Sequence, residues 1–172
     1  YLRFWFKYFF TNKAELEIGN TSYILNKIQE DYNTYLGQTY EQVAYEFLTE
    51  MKRNGKLPFS FKTLGKWWFK DKEIDIIATD EENLTATFIE VKWSILSKED
   101  SERTLKGLKA KASMFRGNLK KQNLAIIAKK VADKDSLTKK GYFIFDLDDF
   151  NSLVTREINK KRMRSRCNSN MS

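Results

Sequence analysis

The 172-residue sequence contains no histidine, one cysteine and one proline. Without histidine, the chain cannot use His-based general acid-base catalysis, a Ser-His-Asp triad or His-ligated zinc. The single cysteine, Cys167, lies in a polar tail, so there is neither a disulfide framework nor a thiolate metal cluster, and an intracellular, cytoplasmic setting is expected. Only seven glycines occur, and none builds a Gly-rich loop of the kind that cradles phosphates or dinucleotides. Long uncharged apolar runs are also missing. The opening "YLRFWFKYFF" carries Arg3 and Lys7, so it reads as an amphipathic helix, neither a membrane span nor a signal peptide, and no membrane partner is expected. Chemistry in this chain must therefore rest on carboxylates, lysines, hydroxyls or a hard metal ion.

What is present is a core and a charge. Hydrophobic residues make up 41% of the chain and aromatics 15%, enough for one domain or one domain with an appendage. Lys and Arg outnumber Asp and Glu by 31 to 23, a formal charge of +8 that suits a polyanion such as nucleic acid, although lysines that merely solvate a surface give the same balance.

Apolar spacing predicts helices over residues 2–10, over "TSYILNKIQEDYNTYL" after Asn20-Thr21, and over "QTYEQVAYEFLTEMKRNG" ending at Gly55. In the last of these Tyr40, Val43, Ala44, Phe47, Leu48 and Met51 form one stripe predicted to be buried. The only proline then marks a switch to sheet. "FKTLGKWWF", "EIDIIAT" and "TATFIEVKW" read as an antiparallel meander, with turns around Lys70 to Lys72 and Asp80 to Asn83. A helix over "SERTLKGLKAKASMFRG", strands over "NLAIIAKK" and "GYFIFDL", and a last helix from about Asp148 to Ile158 complete an α/β layer. The division expected is a helical arm or linker at 1–35, an α/β domain at 36–160 and a basic tail at 161–172. A start without methionine, inside an aromatic segment, fits a chain that begins partway through a longer protein.

In "TATFIEVKWS" strand alternation puts Glu90 and Lys92 on one face and Ile89, Val91 and Trp93 on the other. An antiparallel neighbour can bring Asp75, from "KEIDIIAT", beside Glu90. Two carboxylates that close repel unless a cation lies between them, and Mg²⁺ takes oxygen ligands while keeping several waters. Lys92 is placed to polarise a water or to hold charge on a phosphate oxygen. A buried ion network without catalysis is the competing reading. The preceding helix offers Glu41 and Glu46, between which spacing does not choose. Trp67 and Trp68, adjacent on one strand, point to opposite faces, so one is expected in the core and the other is free to stack on a base or a neighbouring chain.

An acid on the first helix, then an Asp, then E-x-K on the next strand resembles the PD-(D/E)XK phosphodiesterase superfamily, with its restriction-endonuclease-like core of a mixed sheet flanked by helices. The stretches "YLRFWFKYFF", "GQTYEQVAYEFL", "LGKWWFKDKEIDIIA" and "FIEVKW", in that order, further resemble the carboxy-terminal domain of the archaeal P-loop ATPase family. The proline that names the superfamily is absent before Asp75, a departure the closer family shares.

The resemblance implies that Glu41 is the helix acid, that Asp75, Glu90 and the Val91 carbonyl ligate Mg²⁺ or Mn²⁺, and that Lys92 serves the water or phosphate. It implies a DNA substrate, with Lys70, Lys72, Lys106, Lys109 and Lys111 as phosphate contacts. The partner implied besides DNA is an ATPase portion of the same protein, and ATP hydrolysis itself is not assigned to these 172 residues. The alternative is a catalytically silent module that docks DNA or forms a homodimer.

Overall fold

In the computed structural model, residues 2–155 are described. The basic tail, Cys167 and the last residues of the expected C-terminal helix lie outside them. The chain divides into two compact units, at residue 39/40.

The first unit is helical: α1 (Leu2–Tyr8), a short 3-10 turn (Phe10–Asn12), α2 (Lys13–Glu17) and the start of α3 (Thr21–Arg53). Tyr8 is fully buried, and its hydroxyl donates to Asp31 at 3.2 Å beside a 2.7 Å Lys7–Asp31 ion pair. Leu2, Trp5, Phe6 and Phe10 remain exposed. The two helices expected between residues 21 and 55 are one 33-residue helix. Gly37, which lies between the two expected stretches, sits inside it, because a lone glycine costs a helix only about 1 kcal/mol and neighbouring turns absorb that.

The second unit contains the rest of α3 and a five-stranded sheet in the order β1-β2-β3-β4-β5: β1 (Thr63–Phe69), β2 (Lys72–Asp80), β3 (Thr85–Leu96), β4 (Lys121–Val131) and β5 (Phe143–Phe145). The first three strands form the expected antiparallel meander, whereas β3–β4 and β4–β5 are parallel, so the sheet is mixed. Parallel neighbours need crossovers. Helix α4 (Lys98–Ala112) supplies the first and α5 (Lys134–Lys139) the second. The sequence reading missed α5, a six-residue helix too short to carry a periodic signal. It also began α4 three residues late: Ser97 is the N-cap, accepting from the Asp100 N–H at 3.1 Å. A last helix covers 147–155.

Apolar residues cover both faces of the sheet. On one, Ile76, Ala78, Ile89, Val91, Ala125 and Ile127 pack against Tyr40, Ala44, Phe47 and Leu48 of α3 and Leu153 of the last helix. On the other, Phe88, Ile77 and Ala86 pack against Leu108 and Ala112 of α4, and Ile126 and Ala128 lie with Leu105 and Leu137. Val43 does not join the α3 stripe. It is 39% exposed, because a helix lying on one flat sheet buries a narrower arc than the spacing allowed.

Candidate metal and phosphate site

Two irregularities of the sheet build the site. Between the pairs Gly65↔Ile77 and Trp67↔Ile74, one β1 residue, Lys66, faces two on β2, Asp75 and Ile76. Between Lys92↔Ala128 and Ile95↔Lys130, two β3 residues, Trp93 and Ser94, face one on β4. Each is a β-bulge, which bends the strand and re-aims side chains. One lies at Asp75 and the other directly follows Lys92.

At the first bulge Asp75 turns toward β3, and its Oδ2 accepts the Val91 backbone N–H at 2.7 Å. The regular β2–β3 pairing begins only at Ile76↔Ile89, so this carboxylate stands where the next ladder bond would be. Burial and the charge of Glu90 push the Asp75 carboxyl up to about 6, against the opposing pull of the Val91 N–H and Lys92. Glu41 adds a smaller push in the same direction.

Glu90 is buried, and a different lysine holds each of its oxygens: Lys92 Nζ on Oε1 at 2.7 Å and Lys111 Nζ on Oε2 at 2.8 Å. Desolvation lowers the Lys92 pKa but its partner Glu90 outweighs it, so the ammonium is held charged. Its side chain is 43% exposed and reaches solvent. Ile89 and Val91 fill the apolar cluster on the opposite face, with Trp93 packed against it, as strand alternation requires.

The structure separates Glu41 from Glu46, which spacing left open. Glu41 makes a 2.5 Å ion pair with Lys66, the residue opposite the β2 bulge, and Lys66 also reaches Glu73 at 3.4 Å. Glu46 is exposed and accepts from Gln42. Tyr40 fixes the helix just before Glu41: its hydroxyl donates to the Ala128 carbonyl at 2.8 Å, and its ring lies edge-on to Trp93 with centroids 5.1 Å apart. Lys66 is the site residue the sequence reading missed. Gly65 beside it was the available signal, since glycine inside a strand often marks a bulge.

The lysines proposed for phosphate contact fall into different places. Lys111 is on Glu90, whereas Lys106 and Lys109 are exposed on α4 and line a shallow depression with Glu102, Leu105, Lys140 and Tyr142. Lys70 and Lys72 sit at the exposed tip of the β1–β2 hairpin, where Lys72 pairs with Asp71 at 2.8 Å. Trp67 packs against the cluster containing Phe88, and Trp68, on the opposite face, is 66% exposed.

Among the described residues, no group of three or more acidic, histidine or cysteine side chains lies close enough to hold a metal ion by itself. Two carboxylates remain, and they are hard oxygen donors of the kind Mg²⁺ accepts, one or two at a time, with water completing its shell. Asp75 Oδ2 is committed to Val91, leaving Oδ1 for a further partner. Every buried side-chain nitrogen and oxygen among the described residues has a hydrogen-bond partner. The donor set therefore fits a hard divalent ion, provided that ion competes with the lysines for Glu90.

No helix among the described residues is long and apolar enough to cross a membrane. No solved structure matches the chain. The chain is 36% identical over 150 residues, 87% of its length, to an uncharacterized protein of Methanocaldococcus jannaschii, and it spans 33% of that relative. Residues 5–104, which include Glu41, Lys66, Asp75, Glu90 and Lys92, match a family described as archaeal and bacterial proteins of unknown function. On that match over more than half its length, the chain belongs to this family, DUF234.

Proposed function

We propose that the chain is a metal-dependent DNA phosphodiesterase of the PD-(D/E)XK type, working as one part of a longer protein whose remainder is an ATPase. The observation that carries this reading is Asp75 held up at about 6 by burial and by the facing Glu90, with the Lys92 ammonium 2.7 Å from that glutamate. Such a pair of acids beside a fixed cation costs stability and is typical of a site kept for binding or chemistry.

Asp75 and Glu90, with the Val91 carbonyl, would hold Mg²⁺ or Mn²⁺, which when bound makes a nucleophilic water available near neutral pH and screens a backbone phosphate. Lys92 supplies a positive charge on the solvent side of the site, where it orients a water or offsets charge growing on a phosphate oxygen. Glu41, anchored through Lys66, keeps a further negative charge near Asp75, which favours cation entry. Trp68 and the hairpin lysines offer an aromatic face and positive charge to a DNA strand.

The test is nicking of supercoiled, linear, single-stranded and branched DNA in Mg²⁺ or Mn²⁺. Wild type is expected to cut at least one of these and Lys92→Ala to lose about 10²–10³-fold of the rate. Equal background from both proteins on every substrate would end this reading.

A second reading, a silent DNA-docking or dimerising module, is favoured by the lysines that already occupy Glu90. It predicts salt-sensitive DNA binding or dimerisation that needs no metal and survives Glu90→Gln. Loss of both with that substitution counts against it.

A further inference from the structure

The Glu90 carboxylate has no free oxygen, since Lys92 takes one and Lys111 the other. Lys111 comes from α4, 21 residues away in sequence, and its side chain is only 25% exposed. The charges of Asp75, Glu90, Lys92 and Lys111 sum to zero when all four are ionised. An entering divalent ion would add two positive charges beside two ammonium groups, and the departure of one of them relieves that repulsion.

Lys111 is the better placed to leave. Lys92 is on the same strand two residues from Glu90, so alternation keeps it on that face. Lys111 lies in the last turn of α4, where the negative end of the helix dipole favours its ammonium even away from Glu90. A flexible four-carbon stem makes the exchange a side-chain rotation with no backbone movement.

We propose that Lys111 is a latch that occupies Glu90 in the metal-free chain and is displaced when a divalent cation binds, so that it positions Glu90 and sets the metal affinity of the site. The latch keeps the buried Glu90 compensated until metal arrives. It also makes binding a competition between an ammonium and a metal ion for one carboxylate. This rests on the metal reading above, and it is specific to the contact with Glu90: an exposed lysine of α4 that stays clear of that carboxylate, such as Lys106, repels the ion only through screening solvent, and Lys106→Met should leave Mn²⁺ affinity nearly unchanged.

The experiment is titration of the 172-residue chain with Mn²⁺ alone, followed by calorimetry and by the free-ion electron paramagnetic resonance signal. Lys111→Met keeps the apolar stem and removes the charge. It is expected to tighten Mn²⁺ binding roughly three- to tenfold, the worth of one partly exposed ion pair, and to lower the melting temperature of the metal-free protein. Lys111→Arg, which can still grip the carboxylate, should bind Mn²⁺ no tighter than wild type. Binding by the Met variant where wild type shows none also supports the latch. Equal or weaker binding by Lys111→Met, with Asp75→Ala abolishing binding, leaves the metal site standing and overturns the latch. If neither wild type nor Lys111→Met binds Mn²⁺, the latch and the metal reading both fall.

Discussion

Asp75→Asn is expected to abolish metal-dependent DNA cleavage, by about 10²–10³-fold or more, while leaving a protein that melts higher than wild type at pH 7.5. The two effects share a cause. The Asp75 carboxyl, at about 6 in the fold against an ordinary 3.8, keeps its proton over a range where the unfolded chain has already released it. Its contribution to stability is therefore full below pH about 3.8 and is lost as the pH rises through about 6. Asparagine cannot ionise, keeps an oxygen for the Val91 N–H, and so retains what aspartate loses. The gain is about 1–2 kcal/mol near neutral pH and should vanish in acid. Thermal melts of both proteins from pH 3.5 to 8 give the comparison. Wild-type metal affinity should fall as the pH drops below about 6, because a protonated carboxyl is no ligand. A variant less stable than wild type at pH 7.5 would show that Asp75 is a structural anchor.

Phe47→Ala is expected to cost about 3–5 kcal/mol, the largest stability effect foreseen for one substitution in the second unit. Phe47 is 4% exposed, stacks on Phe150 with centroids 3.9 Å apart and planes 9° from parallel, and meets Phe145 edge-on at 5.6 Å. It joins α3, β5 and the last helix at once. Urea denaturation should show a lower midpoint with an unchanged slope, since the exposed area on unfolding hardly alters. A double-mutant cycle with Phe150→Ala should return a coupling of about 0.5–1.5 kcal/mol for the stacked pair. Simple additivity would mean that the stack contributes no more than its burial.

Sequence reasoning found the meander, the crossover helix and the placing of Glu90 and Lys92 on one face, because each leaves a local mark. Strand alternation places Ile89 and Val91 opposite Glu90 and Lys92, and charges inside an apolar strand stand out. Helix α5 and the join at Gly37 left no such mark: the first is too short for a period, and the second depends on whether neighbouring turns outweigh one glycine. Two features of the site were illegible for a different reason. Lys111 reaches Glu90 across a distance that no spacing rule covers, so the sequence offered it only as a phosphate contact. The Asp75 bulge is a relation between two strands, and neither strand shows it alone.

That bulge bears on how such a protein could change over time. Both irregularities are single surplus residues, one on β2 and one on β3. Loss of the surplus β2 codon would let that ladder close into a regular pairing. The acid would no longer stand in the gap beside Val91. A relative without that surplus residue would match this chain over the same length and lack the Asp75–Val91 contact, so a long sequence match by itself does not report on the contact.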